Sequence, residues 1–489
     1  MLGFTRQYLQ AFIACFSFYA FSISPSISWG DSSDFAIRLA GFPFAESEGG
    51  TRDYDLYELI TKPFAFVPFG DYGYKANLAS AFFGAISVCL LYRIAFIVSN
   101  SKIISLLSSG SLLVSHTYWF LASVAEVYTF STFLILSSIL AVMYFEKSPG
   151  KSEAVVTGTL LGANILHHPS GLVLFFTTLT SLLLFRRPIN TKLVLLILIS
   201  ALLASARYWI EVIGRLQIQR DLLDSLQIGT PQNSLTSYSL MVETLKFFAL
   251  AFYNFPFLGI LFISAGVTYV VRQKSVGLLS LTLFSLLIII AGIRSSIPDK
   301  FNIFVIANPG LAILFGLGLF KFQLRFPFLS KFKREFVIIT LVIPPTLYLA
   351  TWQAFDRLGN NPSGARDVPQ RNNNEYFFWP PKSLDFGPKV YARNALLKLP
   401  LNAILLADYT VYKPIEFMQR VENVRPDVKL LYVEAYWNGG LNSLLEETLG
   451  RERVFIAHDK PPHYFGLDKL SEKFRLDYST EGIEIITND

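Results

Sequence analysis

The chain has 489 residues, 52% of them hydrophobic and only 16% charged, with a formal net charge of +6. A soluble protein of this length carries about a quarter charged residues, so this composition and a mean hydropathy of +0.43 exclude a soluble enzyme and point to a membrane. Two cysteines, Cys15 and Cys89, both inside apolar runs, offer no disulfide framework or cysteine metal site. The basic residues cluster between apolar runs, which is a topology signal and not a nucleic-acid footprint.

The first apolar run, 8–27, follows a short stretch carrying only Arg6. It is long enough to span a bilayer, and Ser22–Ile27 offers no convincing small-x-small cleavage site, so it reads as a retained helix and not a signal peptide. At about 20 apolar residues per crossing, about eleven spans follow from the sequence. They lie near 8–27, 76–98, 103–121, 127–145, 154–170, 171–185, 193–209, 246–271, 275–292, 301–320 and 335–352, with a hairpin bend expected at His167-His168-Pro169. The stretch 210–245 is only partly amphipathic.

Charge orients these spans. With the N-terminus inside, the inner turns carry thirteen basic residues against two acidic ones, Glu146 and Glu153. The basic set includes the Arg186–Arg187 pair and the Lys331–Arg334 cluster. The first outer loop, 28–75, carries eight acidic residues and four basic ones. That distribution obeys the positive-inside rule and leaves the C-terminal part outside. From 353 to 383 the chain is Asn-, Arg- and Pro-rich and reads as a linker. From 384 to 489 it reads as a small α/β domain. Strands are expected at 403–407, 428–433, 454–457 and 483–486, with a helix at 412–421. No Gly-rich phosphate loop is present, which argues against nucleotide binding.

The fold class expected is therefore an all-α polytopic membrane domain, 1–352, followed by a small α/β soluble domain. Ionisable residues at membrane spans are costly and mark function. Here they gather on the outer face. Asp31 and Asp34 end the first span, and two acids beside Trp29 exceed what a helix cap needs. Glu126 lies in the second outer connection, between the third and fourth spans, where a structural ion pair fits equally well, and His116 reads as an interfacial structural histidine. His167 and His168 point about 100° apart on a helix, which suits hydrogen bonding to sugar or phosphate better than a shared metal. Arg207, Arg294 and Lys300 stand on the outer side, Asp299 beside them. The arginines suit an anion or simple snorkelling to headgroups. Segment 55–69 reads as an interfacial amphipathic helix or as loop packing.

Three strings together resemble a known family: Pro25–Phe35, then Phe66–Asp71, then Tyr74–Ala81. Its opening motif has the form Trp-Asp-Ser-Gly-Glu-Phe, which Gly30-Asp31-Ser32-Ser33-Asp34-Phe35 resembles. Its Trp-x5-Ala-Glu-Val-Tyr element resembles Trp119 through Tyr128, its Asn-His element resembles Asn164–His167, and a late element resembles Leu399–Val428. The family is one of polytopic proteins similar to GT-C glycosyltransferases, and it includes a eukaryotic protein O-mannosyltransferase acting on plexin-type domains. The chain departs from it in carrying Asp34 where the family has Glu. In Gly50–Tyr57 it keeps only Tyr54, Leu56 and Tyr57 of the family's His-Pro-Pro-Gly-Tyr-Pro-Leu-Tyr.

The resemblance implies a GT-C-like enzyme, inverting at the anomeric carbon, which moves mannose or a similar sugar from a polyprenyl-phosphate carrier. The acceptor is an extracytoplasmic protein or glycan, and the enzyme is a multi-pass protein of the inner (plasma) membrane. Asp31, Asp34 and Glu126 become the catalytic candidates. His167, His168, Arg207, Arg294, Lys300, Tyr54 and Tyr57 become the substrate-binding ones. No cofactor is required, although the acids allow a divalent cation, and no nucleic acid partner is implied. Two other classes fit a polytopic chain: a transporter or flippase, which places its ionisable groups and broken helices near the midplane, and a non-catalytic scaffold.

Overall fold

The computed structural model describes residues 6–42, 54–185, 190–219, 237–256, 258–295, 300–362, 367–433, 440–459 and 473–487. Arg186, Arg187, Asp299 and residues 50–53, singled out above, lie outside the described residues. Helix α1 (Arg6–Ala20) leads into an irregular stretch and then α2 (Asp31–Leu39). After it come α3 (Asp55–Thr61) and a 3-10 turn (Lys62–Phe66). Leu59, Ile60, Phe66 and Phe69 are exposed there, an apolar fringe of the kind an interfacial segment presents to headgroups.

Helix α4 (Tyr72–Ser99) is the longest of the outer-loop neighbours. The Asp71 carboxylate caps it by accepting from the Tyr74 backbone N–H at 2.9 Å, and Asn100 in a left-handed conformation ends it. It packs against α1, α2, α5 (Lys102–Leu113) and α7 (Tyr128–Lys147). Between the last two lies the short α6 (His116–Ala122). Next, α8 (Lys151–His167) and α9 (Ser170–Leu184) separate at His168-Pro169, the bend expected from the sequence. Helices α10 (Thr191–Ala204) and α11 (Ala206–Gln219) meet at 66°.

The straight span expected at 246–271 is instead α12 (Ser237–Asn254) and α13 (Gly259–Gln273), set at 95° to each other. Pro256 lies in the break, where a residue without N–H cannot continue the ladder. The membrane part closes with α14 (Val276–Arg294), α15 (Lys300–Val305), α16 (Asn308–Arg325) and α17 (Lys333–Leu358). Helices α13 and α16 approach closely through glycine: a Cβ on Gly266 would sit 2.1 Å from the Leu314 carbonyl oxygen.

Among the described residues, four helical segments are each long and apolar enough to cross a membrane, or up to six if each bent pair is one span. The expected eleven include shorter helices. The last of the four, 327–358, has only 11% of its apolar window buried, and Ile338, Ile339 and Val342 project outward as lipid-facing side chains do. The chain is a multi-pass membrane protein.

The C-terminal part opens with α18 (Asn373–Phe378) and α19 (Gly387–Leu397). A five-stranded mixed sheet follows, in the order β2-β1-β3-β5-β4. Strand β1 (Ile404–Ala407) is fully buried and pairs in parallel with β2 (Lys429–Tyr432) and β3 (Val454–Ile456). Strands β4 (Phe474–Tyr478) and β5 (Ile483–Thr487) add an antiparallel edge. Helix α20 (Tyr409–Arg420) crosses from β1 to β2, and α21 (Gly440–Thr448) leads toward β3. The two lobes share one hydrophobic core. Ile27, Trp29, Phe35, Tyr57 and Phe130 from the membrane part pack in the same cluster as Tyr391, Val411, Tyr412 and Ile415.

Candidate active site

The first turn of α2 carries both aspartates. It starts at Gly30, whose φ of +60° is a conformation that L side chains rarely adopt. The Gly30 N–H donates to the Thr410 carbonyl at 3.2 Å, which ties this turn to the start of α20. Acidic groups are favoured at a helix N-terminus by its dipole, so a sequence with Asp at the first and fourth positions begins a helix here.

The surroundings of the two acids diverge. The Asp31 carboxylate is partly exposed and accepts a hydrogen bond from the Tyr409 hydroxyl at 2.5 Å. The Asp34 side chain is only 4% exposed and lies between two cations, Arg38 Nε at 2.8 Å and Lys413 Nζ at 3.1 Å. The chain of charges continues on both sides. Arg38 reaches Glu58 at 2.5 Å, Lys413 reaches Glu416 at 2.9 Å, and Glu416 reaches Arg420 at 2.6 Å. Buried charges persist only when paired and hydrogen-bonded, and this alternating row meets that condition from α3 through α2 to α20.

Around this turn stands an aromatic wall. The ring of Phe35 lies 6.0 Å from Tyr54 and 5.2 Å from Tyr57, and Tyr57 lies 5.8 Å from Phe130. His167 is buried 4.8 Å from the Phe130 ring and 5.7 Å from Tyr54, with Nε2 2.9 Å from the Ser131 hydroxyl. The structure thus brings Tyr54, Tyr57 and His167 together beside α2. His168 faces its own turn: its Nδ1 accepts from the Ser170 N–H at 3.1 Å, so that nitrogen carries no proton.

Glu126 lies on the same side. Its backbone N–H donates to Ser80 Oγ at 3.0 Å, and its charge acts on the buried phenols of Tyr57 and Tyr376. Burial pushes Tyr57 well above its ordinary range and Tyr376 up to about 12. Arg207, 58% exposed, pairs with Glu211 at 3.2 Å and with Asp55, one residue beyond Tyr54, which places it at the rim of this wall. Lys300 pairs with Glu243 at 2.8 Å, and Arg294 is exposed at the end of α14. Neither cation belongs to the ion-pair row of Glu58, Arg38, Asp34, Lys413, Glu416 and Arg420. His116 is buried between the rings of Tyr253 and Tyr348, at 4.8 and 5.0 Å. Among the described residues no group of three or more His, Cys, Asp or Glu is arranged to hold a metal.

Two partners of the aspartates, Tyr409 and Lys413, come from the C-terminal domain and were not singled out from the sequence. A signal was present. Lys413 and Glu416 interrupt an otherwise apolar face of Val411, Tyr412, Ile415, Phe417 and Met418 just after a buried strand. Ionic residues three apart on a buried face require a partner from elsewhere.

Residues 52–193 match the family described as "Protein O-mannosyl-transferase TMEM260 N-terminal domain". The chain is 25% identical over 206 residues to Protein O-mannosyl-transferase TMEM260 of Mus musculus, a match covering 41% of this chain and 29% of that protein's length. Tyr54, Tyr57, Glu126, His167 and His168 fall inside the family match, whereas Asp31, Asp34, Arg207, Arg294 and Lys300 fall outside it. The structure aligns over 98% of its length with 97% of ArnT from Cupriavidus metallidurans bound to undecaprenyl phosphate, at TM-score 0.54 and 14% identity. The fold is thus of that GT-C type. A second likeness, to the Archaeoglobus fulgidus oligosaccharyltransferase, has TM-score 0.45 and 12% identity over 87% of this chain and 64% of that one; at that level it adds no argument.

Proposed function

We propose that this protein is an inverting membrane glycosyltransferase that takes a sugar, mannose or similar, from a polyprenyl-phosphate carrier. It delivers the sugar to a hydroxyl of an extracytoplasmic protein or glycan. One observation carries the reading. Of two acids on one helical turn, Asp34 is committed to Arg38 and Lys413, while Asp31 is partly exposed and accepts from the Tyr409 phenol. A general base must reach its substrate's proton and must be oriented, and only Asp31 meets both conditions. The similarity to O-mannosyl-transferases and to the ArnT fold supports the same class.

In the reaction, Asp31 takes the proton of the acceptor hydroxyl as its oxygen attacks the anomeric carbon. The bond from that carbon to the carrier phosphate oxygen breaks, and the electron pair leaves with the polyprenyl phosphate. Attack opposite the leaving group inverts the anomeric centre. Tyr409 is a positioning residue, which donates to Asp31 and fixes the direction in which its carboxylate points. Asp34 positions the turn. Glu126, with Tyr54, Tyr57 and His167, orients the sugar or acceptor. Arg207 at the rim grips the phosphate through two donors. Arg294 and Lys300 are outer-surface cations for the carrier's approach, and His168 is the next candidate for a polar contact.

The test is transfer from a panel of polyprenyl-phosphate sugars by purified protein. Asp31→Asn is expected to keep the fold and lose transfer, a drop of at least about a hundredfold for a lost general base. Full activity in Asp31→Asn with an inactive but folded Asp34→Asn would reverse the assignment.

A further inference from the structure

A cavity of about 270 Å³ lies in the segment ahead of the sheet, walled by residues 370–387. It is separate from the aspartate turn but adjoins it. The Arg371 guanidinium lies 6.0 Å from the ring of Trp29, two residues before Asp31, and the Tyr376 hydroxyl lies 3.4 Å from Ser28 Oγ. Its walls are fixed. Asn372 caps α18 by accepting from the N–H groups of Asn374 and Glu375 at 2.9 and 3.1 Å. Asp385 accepts from the Gly387 N–H at 3.1 Å. Lys382 is buried, donates to the Trp379 carbonyl and lies 5.2 Å from the Tyr376 ring. Trp379 stacks on Trp352 with ring centroids 6.2 Å apart.

We propose that this cavity binds a single pyranose, on the glycosyl-transfer reading above. Charge makes the choice. The lining carries Arg371 and Lys382 against Glu375 and Asp385. An anion would meet two carboxylates, and a cation would meet Arg371 together with Lys382 whenever that lysine is protonated, whereas a neutral polyol meets neither penalty. Its hydroxyls both donate and accept, so they pair with carboxylates and with guanidinium alike. The ring of Trp379 offers an apolar surface for the C–H face of a sugar. Small-molecule pockets run from roughly 300 Å³ upward, so this volume, just below that range, limits the occupant to about one sugar unit. That unit is the carrier-linked sugar or a sugar on the acceptor.

The experiment titrates the full chain in detergent with the methyl α-glycosides of mannose, glucose and galactose, and separately with inorganic phosphate, read by saturation-transfer NMR. Saturable binding of one glycoside is expected. It should weaken about tenfold or more in Glu375→Ala, which loses a charged acceptor, and in Ser383→Trp, which fills the rim from an exposed position without removing a packed side chain. No binding by the parent, equal binding by both variants, or displacement of the glycoside by phosphate would overturn the proposal. The source is read from transfer kinetics. A raised KM for the polyprenyl-phosphate sugar in Glu375→Ala assigns the pocket to the donor, and a raised KM for the acceptor alone assigns it to the acceptor. Asp31→Asn should bind the glycoside like the parent. Sugar binding without any transfer by the parent therefore fails the enzymatic reading alone, and transfer with unaltered binding in the pocket variants fails the pocket alone.

Discussion

Asp31 and Asp34 sit on the same helical turn, and their surroundings give them different work. Removing the Asp34 carboxylate would leave Arg38 and Lys413 as buried cations facing each other. Breaking such a pair costs about 3–5 kcal/mol, so Asp34→Ala should lower the melting temperature markedly. Asp31→Asn, at a partly exposed site, should shift it little. Equal melting temperatures for the two variants would remove Asp34 from its positioning role. The pair was visible in the sequence, but its division of labour was not, because Tyr409 and Lys413 lie far along the chain. Lys382 is a second residue whose state only the fold sets. Burial holds its ammonium down to about 7, against the pull of Asp385 and Glu375. In the unfolded chain it titrates near 10.5. Between those values the unfolded state binds more protons, so this group makes stability rise with pH from about 7 to 10.5, by at most about 5 kcal/mol. Thermal melts across that window should show the rise in the parent and lose it in Lys382→Met. Parallel profiles would contradict the depressed lysine.

At the scale of elements, the active turn is held between α4 beneath and α20 above, and α20 belongs to the C-terminal domain. Tyr409→Phe removes one hydroxyl from this junction. It should lower kcat about tenfold to a hundredfold with KM near the parent's, since a single hydrogen bond to a charged group is worth about 1.5–3 kcal/mol. Unchanged kcat and KM in Tyr409→Phe would show that Tyr409 is a packing residue only. Periodicity made most helices legible, and β1, β2, β3 and β5 were legible as apolar runs. Strand β4 was not, although Phe474-Arg475-Leu476-Asp477-Tyr478 alternates as an edge strand does; three charged or hydroxyl-bearing side chains masked it. The break between α12 and α13 was also missed. Pro256 signalled it, but the flanking residues are apolar enough to read as one span. In the site, acids at span ends were legible through their rarity, while the cavity at 370–387 was not. Its residues read as a linker, and only their packing against Trp29, Trp119 and Trp352 turns them into walls.

The whole molecule ties function to sidedness. Loop 28–75 and the C-terminal domain contribute to one core and one ion-pair row, so both must lie on the same face of the membrane. An even number of crossings must then separate Tyr72 from Leu358, which the ten spans expected in that interval provide. The positive-inside rule assigns the face. Thirteen basic residues against two acidic ones mark the inner turns, and eight acidic against four basic mark the loop. That rule predicts the extracytoplasmic face for both, which is where the proposed transfer from a carrier-linked sugar to an acceptor hydroxyl would take place. In a background with Cys15 and Cys89 replaced, cysteines at the exposed positions Ser383 and Ser479 should react with a membrane-impermeant maleimide in intact cells. A cysteine at Lys147, in an inner turn, should react only after lysis. Labelling of Ser479→Cys only after lysis would put Asp31 on the cytoplasmic face and remove the extracytoplasmic transfer reaction with it.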